Sequence, residues 1–156
     1  MKQCAVKNKA FLSLAILLAT ITQAYALNAI SIASNQALSF GSFAAGTGGS
    51  VTISAAGVRT ASGAVTLLSS SPGQAAQFTV TTSLILLSYS VTLPTSASLT
   101  GTGGAMSLTA LTTSPTVLNT GLSGQQILSV GGTLAVGSSQ AAGSYSTIFP
   151  ITVNLP

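Results

Sequence analysis

Acidic side chains and histidine are missing from this 156-residue sequence, which contains no aspartate, glutamate or histidine. Its four basic residues are Lys2, Lys7, Lys9 and Arg59, so a single arginine carries all the side-chain charge beyond residue 9. General acid–base catalysis needs a histidine, a carboxylate, a lysine, or a perturbed tyrosine or cysteine. A serine nucleophile needs a base beside it. We therefore predict that the protein is not an enzyme.

The same absences argue against the usual metal, cofactor and nucleic-acid sites. Zinc is held by cysteine, histidine or carboxylate ligands, and calcium usually by several carboxylates. Two Gly-Thr-Gly-Gly stretches, at 46–49 and 101–104, lead into predicted strands and are not followed by Gly-Lys-Ser/Thr, so they are not phosphate loops. One arginine cannot make the phosphate contacts that nucleic-acid binding needs. We expect no metal, no cofactor and no nucleic-acid partner.

Cysteine occurs once, at Cys4, so no disulfide can form within the rest of the chain. A domain without disulfides must be held together by packing alone. A surface with almost no charge favours association, and edge strands without lysines or inward-pointing charges are not protected against pairing with another chain. These features predict a subunit of an assembly.

The N-terminal residues are typical of a signal peptide. Lys2, Lys7 and Lys9 precede an apolar run at 10–21, and Ala24-Tyr25-Ala26 has the small-residue pattern of a cleavage site. We predict a helical signal peptide over 1–26, an N-terminal extension or first strand over 27–35, and one domain over 36–156. The chain would pass through the periplasm to the cell surface or the extracellular space. No later run has the length of a transmembrane span, so none is expected after cleavage.

Every periodic segment after residue 26 alternates with the period of a β-strand. Turn signals rich in glycine or proline separate these segments, which predicts an antiparallel β-sandwich of roughly eight to ten short strands. The apolar residues that mark the strands are Ile30 and Ile32, Leu38 and Phe40, Val51 and Ile53, Val65 and Leu67, Phe78 and Val80, Tyr89, Val91 and Leu93, Met106 and Leu108, Ile127 and Val130, and Leu134 and Val136.

The last fourteen residues carry the clearest strand pattern. After Gly143, apolar or β-branched side chains occupy the odd positions, which predicts a strand with one buried face. A strand this apolar needs another strand to cover its edge, supplied by the same molecule or by a neighbour. The residues of the buried face are Tyr145, Thr147, Phe149, Ile151, Val153 and Leu155.

The run Leu84-Ile85-Leu86-Leu87 breaks the alternation where a polar loop is expected. One interpretation is a strand end tucked under a loop or buried on both faces. The other is an exposed apolar patch that meets a neighbouring subunit. Arg59 is interpreted as a solvated turn residue or as a donor to loop carbonyls.

Several ordered motifs resemble a family of small exported bacterial domains of unknown function. The resemblance covers nearly all of the chain after residue 26 and implies secretion and a β-sandwich. The motifs are Gln36-Ala-Leu-Ser-Phe-Gly-Ser-Phe-Ala-Ala-Gly46, Gly57-Val-Arg-Thr-Ala-Ser-Gly63, Ser71-Pro-Gly-Gln-Ala-Ala-Gln-Phe-Thr-Val80 and Gln140-Ala-Ala-Gly-Ser-Tyr145.

The C-terminal run is also similar to subunits of chaperone–usher pili. Those subunits are immunoglobulin-like sandwiches that lack their last strand, which a neighbour supplies from its N-terminal extension. Their last strand commonly begins with a glycine fourteen residues from the end, and Gly143 is the fourteenth residue from the end here. Gly143-Ser-Tyr-Ser146 is also similar to the start of that strand in non-classical pilins. The resemblance implies an immunoglobulin-like, Greek-key fold with Leu27 to Ser34 as donor.

We therefore expect an all-β, immunoglobulin-like β-sandwich that serves as a non-enzymatic subunit of a surface fibre or coat. The alternative is a monomeric secreted binding or adhesion module. The expected partner is a second copy or another pilin-like subunit, with a periplasmic chaperone during export. The predicted contact residues are Ile30, Ile32, Gly143, Tyr145, Phe149, Ile151, Val153 and Leu155, with Leu84, Ile85, Leu86 and Leu87 as a candidate apolar patch.

Overall fold

Strands account for nearly all the regular structure of the residues that are described. The computed structural model describes residues 30–156, so the predicted signal peptide with its cleavage residues Ala24 and Ala26 lies outside the described residues. The strands are β1 (Ile30–Gln36), β2 (Phe43–Ala44), β3 (Gly49–Ile53), β4 (Arg59–Gly63), β5 (Thr66–Leu67), β6 (Ala76–Thr82), β7 (Ser90–Thr92), β8 (Ser96–Gly101), β9 (Gly104–Ser114), β10 (Gln125–Val136), β11 (Tyr145–Ser146) and β12 (Thr152–Asn154). One 3₁₀ turn, Gly121–Ser123, precedes β10.

All strand pairs among the described residues are antiparallel. The main sheet has the order β1-β6-β10-β9-β8-β11, and β3 with its partner β4 joins the edge of β10 beyond β6. Two small sheets, β12-β7 and β2-β5, complete the fold. The predicted all-β antiparallel sandwich is confirmed. No helix in this part of the chain has the length and apolarity needed to cross a membrane.

Strand β10 is the centre of the main sheet because it is long enough to pair with three other strands. Residues 125–130 pair with β6, residues 132–136 pair with β3, and the opposite edge pairs with β9. Gly131 lies at the change of partner, and a Cβ atom there would overlap the main chain at 53–55. The two strands predicted around Val130 and Leu134 are therefore one strand that runs through the glycines.

The buried side chains form two core clusters. The first core cluster includes Val51, Ile53, Leu108 and Leu134, and the second includes Val80, Leu128 and Val130; all seven are at most 1% exposed. Most of the apolar alternation that marked strands in the sequence reaches these clusters. Two residues are exceptions. Ile32 is 37% exposed on β1, and Ile127 is 58% exposed because the register of β10 on β6 buries Leu128 instead.

The predicted boundary between residues 35 and 36 falls inside β1. This strand pairs with β6 from Ile30 opposite Thr82 to Gln36 opposite Gln77, with an irregularity between Ser34 and Gln36. The division into an extension and a domain remains a prediction. In the described chain, β1 is an edge strand of the main sheet.

Candidate strand-binding groove

A groove of about 870 Å³ lies between two segments of the chain, residues 37–45 and residues 140–149. Its floor consists of Leu99, Met106, Leu108 and Leu134, which come from β8, β9 and β10 and belong to the first core cluster. The groove therefore lies directly over the core. Its two walls carry very little strand structure, namely Phe43–Ala44 in the first and Tyr145–Ser146 in the second.

The first wall, residues 37–45, is hydrogen-bonded along one edge only. Ser39 exchanges two main-chain hydrogen bonds with Gln74, of 2.9 and 2.7 Å, and Ser42 pairs with Ser71 and Leu68 at 3.0 Å each. In an antiparallel pair, the residues next to such a doubly bonded residue direct their N–H and C=O groups to the other side. Phe40, which follows Ser39 and lines the groove, therefore presents its main-chain groups along the open edge.

Arg59 fixes this wall from behind. Its Nη2 donates to the carbonyl oxygen of Ser42 at 2.6 Å, and Nη1 donates to those of Leu68 at 3.2 Å and Ser71 at 3.4 Å. Burial lowers the pKa of the guanidinium from its ordinary value, and Nε is buried without a hydrogen-bond partner among the described residues. Of the two interpretations from the sequence, the structure has Arg59 as a donor to loop carbonyls.

Gly41 allows the wall to approach its neighbour closely. Its φ of 66° lies in the left-handed region, and a Cβ atom would overlap the main chain at Ser71 and Gly73. A side chain at this position would push the wall away from residues 71–73.

The second wall, residues 140–149, begins with a hydrogen-bonded anchor. Tyr145 pairs with Gly101 of β8, and its hydroxyl donates to the Ala141 carbonyl oxygen at 2.6 Å. The Gln140 amide donates to the Tyr145 hydroxyl and to the Gly103 carbonyl oxygen, both at 2.9 Å. These contacts hold the start of the predicted C-terminal strand against the sheet.

Beyond Ser146 the pairing stops. Residues 147–151 have no strand partner, and no main-chain hydrogen bond joins them to another described residue. Pairing resumes only at β12, where Thr152–Asn154 lies against β7. Pro150 falls in the unpaired stretch and has no N–H group to donate. The single predicted C-terminal strand is thus two short strands with an unpaired stretch between them.

The side chains of residues 144–156 alternate between half-buried and exposed, as the sequence predicted. Each odd position from 145 to 155 is half-buried and each even position from 144 to 156 is exposed, with Ile148 99% exposed. None of the odd positions reaches full burial. The inward face of the run is therefore directed at the core but is only partly covered.

The predicted contact residues divide between the two core clusters. Tyr145 and Phe149 pack against the first, and Ile151, Val153 and Leu155 against the second. Gly143 is exposed at the rim of the groove. Their contact with another subunit stays a prediction.

The two predicted donor residues lie away from the groove. Ile30 packs against the second core cluster, and Ile32 is 37% exposed on β1. Sequence reasoning did not identify residues 37–45 as the facing wall. The sequence feature that could have identified this wall is the motif 36–46, which is uncharged and contains glycine. No segment with a matching strand alternation lies near it in the sequence.

The apolar run 84–87 lies in the loop between β6 and β7, at the opposite end of the domain from Gly143. Leu84, Ile85 and Leu86 are 46%, 59% and 58% exposed, and Leu87 is half-buried. Whether the run meets a neighbouring subunit stays a prediction.

Residues 30–156 contain no group of three or more histidine, cysteine, aspartate or glutamate residues that could hold a metal ion. The polar groups that line the groove are serine hydroxyls, the Thr147 and Tyr145 hydroxyls, the Gln140 amide and main-chain groups. The arrangement can offer hydrogen bonds to an extended main chain and apolar contacts to alternate side chains.

Residues 30–155 match the model of a family described as "Domain of unknown function (DUF4402)". The chain belongs to this family, and the predicted membership of a family of domains of unknown function is confirmed. No curated protein and no solved structure matches the chain.

Proposed function

We propose that the protein is a non-enzymatic, exported structural subunit of a surface fibre or coat, whose copies associate by β-strand complementation. The groove between residues 37–45 and 140–149 is the observation that carries the proposal. It lies over part of the first core cluster, between two segments that both have an open main-chain edge. An added strand would complete both edges and cover the half-buried side chains of Tyr145, Thr147 and Phe149.

The donor is the segment Leu27–Ser34 of a second copy, with Ile30 and Ile32 entering the groove. In its own chain, β1 is an edge strand with five of its seven residues exposed. Its transfer would exchange the hydrogen bonds with β6 for hydrogen bonds in the groove. It would also bury more of Ile32, which is 37% exposed on β1. Apolar burial is worth roughly 25 cal/mol per Å² and favours the exchange.

The lack of charge supports the same reading. Arg59 is the only charged side chain in the described range, and its guanidinium is turned to the back of the first wall. Nothing along the groove repels an incoming strand, whereas free monomers of natural proteins usually protect such edges with lysine or other charges. A periplasmic chaperone would cover the groove until assembly, and export would follow the predicted signal peptide.

A disulfide crosslink tests this proposal directly. In a Cys4→Ser background no other cysteine remains, so Ile32→Cys combined with Thr147→Cys reports only on contact between β1 and the second wall. A disulfide needs Cα atoms within about 7 Å, which limits the reaction to direct neighbours. We expect a ladder of covalent dimers, trimers and higher species under oxidising, non-reducing conditions.

The matched control places Ile127→Cys with Thr147→Cys, because Ile127 is exposed on β10, outside the groove. This pair should leave the chain monomeric on the same gel. Equal yields from both pairs would contradict strand complementation. Removal of the residues before Ser34 should also shift the gel-filtration profile to the monomer, and an unchanged profile would count against β1 as donor. Monomers in both experiments would favour the monomeric binding module.

A further inference from the structure

A second cleft, of about 340 Å³, opens on the face of the main sheet that points away from the core. Ala76 and Val130, which lie opposite each other on β6 and β10, are buried in the second core cluster. Because side chains alternate along a strand, the next residues, Gln77 and Ser129, project from the other face and line the cleft. We call this site the amide cleft; its polar lining residues are Gln36, Gln74, Gln77, Ser114 and Ser129.

Four of these residues form one row across four adjacent strands. Ser114 of β9 lies opposite Ser129 of β10. Ser129 also lies opposite Gln77 of β6, which in turn lies opposite Gln36 of β1. Neighbouring strands are about 4.8 Å apart, so the row is roughly 14 Å long. The polar groups are therefore spaced along a line, as a ligand with several hydrogen-bonding groups in series requires.

Main-chain contacts hold two of the three amides in place. The Gln36 amide donates to the Ala75 carbonyl oxygen at 3.0 Å, and the Gln74 amide donates to a carbonyl oxygen of the first wall of the groove at 3.4 Å. Each contact uses one N–H group and leaves the amide oxygen available as an acceptor. Gln77 and Ser129 make no side-chain hydrogen bond to another described residue, and their polar atoms are accessible to solvent. The row therefore offers both donors and acceptors to a ligand.

The amide cleft presents side chains and no open strand edge. Gln77 and Ser129 belong to β6 and β10, and both strands are paired on each side at this row. Strand β10 pairs with β9 and β6, and β6 pairs with β10 and β1. A peptide cannot add to these strands by main-chain pairing, which distinguishes this site from the groove.

The lining determines which class of ligand fits. Apart from its five polar residues it consists of alanine and glycine, so it has no large side chain against which a lipid or an aromatic ring would pack. None of the lining residues is charged, so an ionic ligand would lose hydration without gaining a counter-charge. Amides and hydroxyls both donate and accept hydrogen bonds, as the hydroxyl groups of a sugar do. A neutral ligand rich in hydroxyl groups meets all three conditions.

We propose that the amide cleft binds a neutral, linear glycan, whose hydroxyl groups form hydrogen bonds in turn with the side chains of the row. The site goes beyond the proposed function, because one copy of the chain forms it without a donor strand. Gln36 follows the donor segment Leu27–Ser34, so it stays with its own domain when that segment is transferred. Every subunit of an assembled fibre then carries one cleft, and many weak contacts along the fibre combine into firm attachment.

Saturation-transfer nuclear magnetic resonance tests the site, because it observes the sugar and works with monomers and assemblies alike. The probes are four neutral, linear tetrasaccharides: maltotetraose, cellotetraose, mannotetraose and tetra-N-acetylchitotetraose. We expect a saturable signal with at least one of them. Gln77→Met removes one amide and should raise the dissociation constant at least about fivefold. Gln125→Met is the matched control, on the same face of β10 but outside the cleft, and should change it by less than about twofold.

A second variant guards against misfolding of the first. Ser129→Ala removes a single hydroxyl group and should raise the dissociation constant about threefold, with an unchanged circular dichroism spectrum. An unchanged dissociation constant in both cleft variants, or an equal change in Gln125→Met, would overturn the inference. The same conclusion would follow if none of the four tetrasaccharides gave a saturable signal.

A charged probe tests the predicted neutrality of the ligand. Tetragalacturonate, which carries a carboxylate on every sugar, should bind at least about tenfold more weakly than the best neutral probe. Equal binding would contradict a neutral glycan as the ligand. These expectations are independent of strand complementation, because failure of the crosslink between positions 32 and 147 leaves the amide cleft of the single chain unchanged.

Discussion

The two core clusters have similar buried side chains but different cover. Over the second core cluster, β12 pairs with β7, and Ile151, Val153 and Leu155 pack against the cluster. Over the first, residues 147–149 have no strand partner and the facing wall at 37–45 is paired on its outer edge alone. The same C-terminal run crosses both clusters, so composition does not explain the difference. What differs is whether a partner strand is present.

Pro150 marks the boundary between the two situations. It interrupts the run between the part that pairs with β8 and the part that pairs with β7. A residue without an N–H group is tolerated at such a break because no ladder hydrogen bond is lost there. Under the proposed function, the half over the second cluster is complete within one chain, whereas the half over the first accepts a strand from another copy.

Truncation of a core leucine should have the largest effect and should differ between the clusters. Leu128→Ala, in the second cluster, should lower the free energy of unfolding by about 3–5 kcal/mol, because the strands paired over this cluster cannot collapse into the cavity that the substitution leaves. Leu134→Ala should cost only about 2–3 kcal/mol, because Leu134, although 1% exposed, lies on the floor of the groove, where the unpaired wall segments can relax into the space left by the side chain. Urea unfolding measures both. A larger loss for Leu134→Ala would contradict the difference in cover.

Replacement of Arg59 should affect the first wall and the groove together. Lysine cannot reach the carbonyls of Ser42, Leu68 and Ser71 at once. We expect Arg59→Lys to lower the free energy of unfolding by about 1–3 kcal/mol and to reduce the yield of the 32–147 crosslink. Normal crosslinking by a destabilised variant would show that the wall does not depend on this contact.

The pH dependence of stability should come from Tyr89, which belongs to the second core cluster. Burial raises the pKa of Tyr89, whose hydroxyl donates to Gln126. The folded state therefore favours the neutral hydroxyl of Tyr89. The stabilisation from this preference is fully present below the unfolded-state pKa of about 10 and is lost as the pH rises through the higher folded-state pKa. No aspartate, glutamate, histidine, lysine or cysteine follows residue 26, so stability of the chain cleaved there should stay flat between about pH 5 and 9.

Thermal unfolding at a series of pH values measures this dependence. Tyr89→Phe should lose less stability than the unsubstituted chain between about pH 9 and 11. A steep change near neutral pH would contradict the prediction, because no side chain in this range titrates there.

The strand pattern predicted the fold class and the inward face of the C-terminal run, because side-chain alternation follows directly from strand geometry. It did not predict that residues 147–151 lack a partner. Alternation indicates which side chains turn inward, whereas pairing depends on segments distant in the sequence. The first wall was missed for the same reason, since Ser39 pairs with Gln74.

The other error in the sequence-based prediction concerned the phase of the strand alternation, that is, which of two adjacent residues faces the core. Ile127 and Leu128 are adjacent apolar residues, and the sequence alone does not determine which of them faces the core. The register of β10 against β6 decides it in favour of Leu128. Likewise, Gly131 and Gly132 resemble a turn in the sequence, yet they continue β10. A glycine is required at 131 because the main chain at 53–55 leaves no room for a Cβ atom there.

Native-state amide hydrogen exchange tests the central claim most directly. It should be measured on dilute monomer and on concentrated, assembled protein. We predict that the amides among residues 147–149 that face the groove exchange fast in the monomer and at least about 100-fold more slowly after assembly, while those of Leu128 and Val130 are protected in both. Strong protection of residues 147–149 in the monomer, or no change on assembly, would contradict the account.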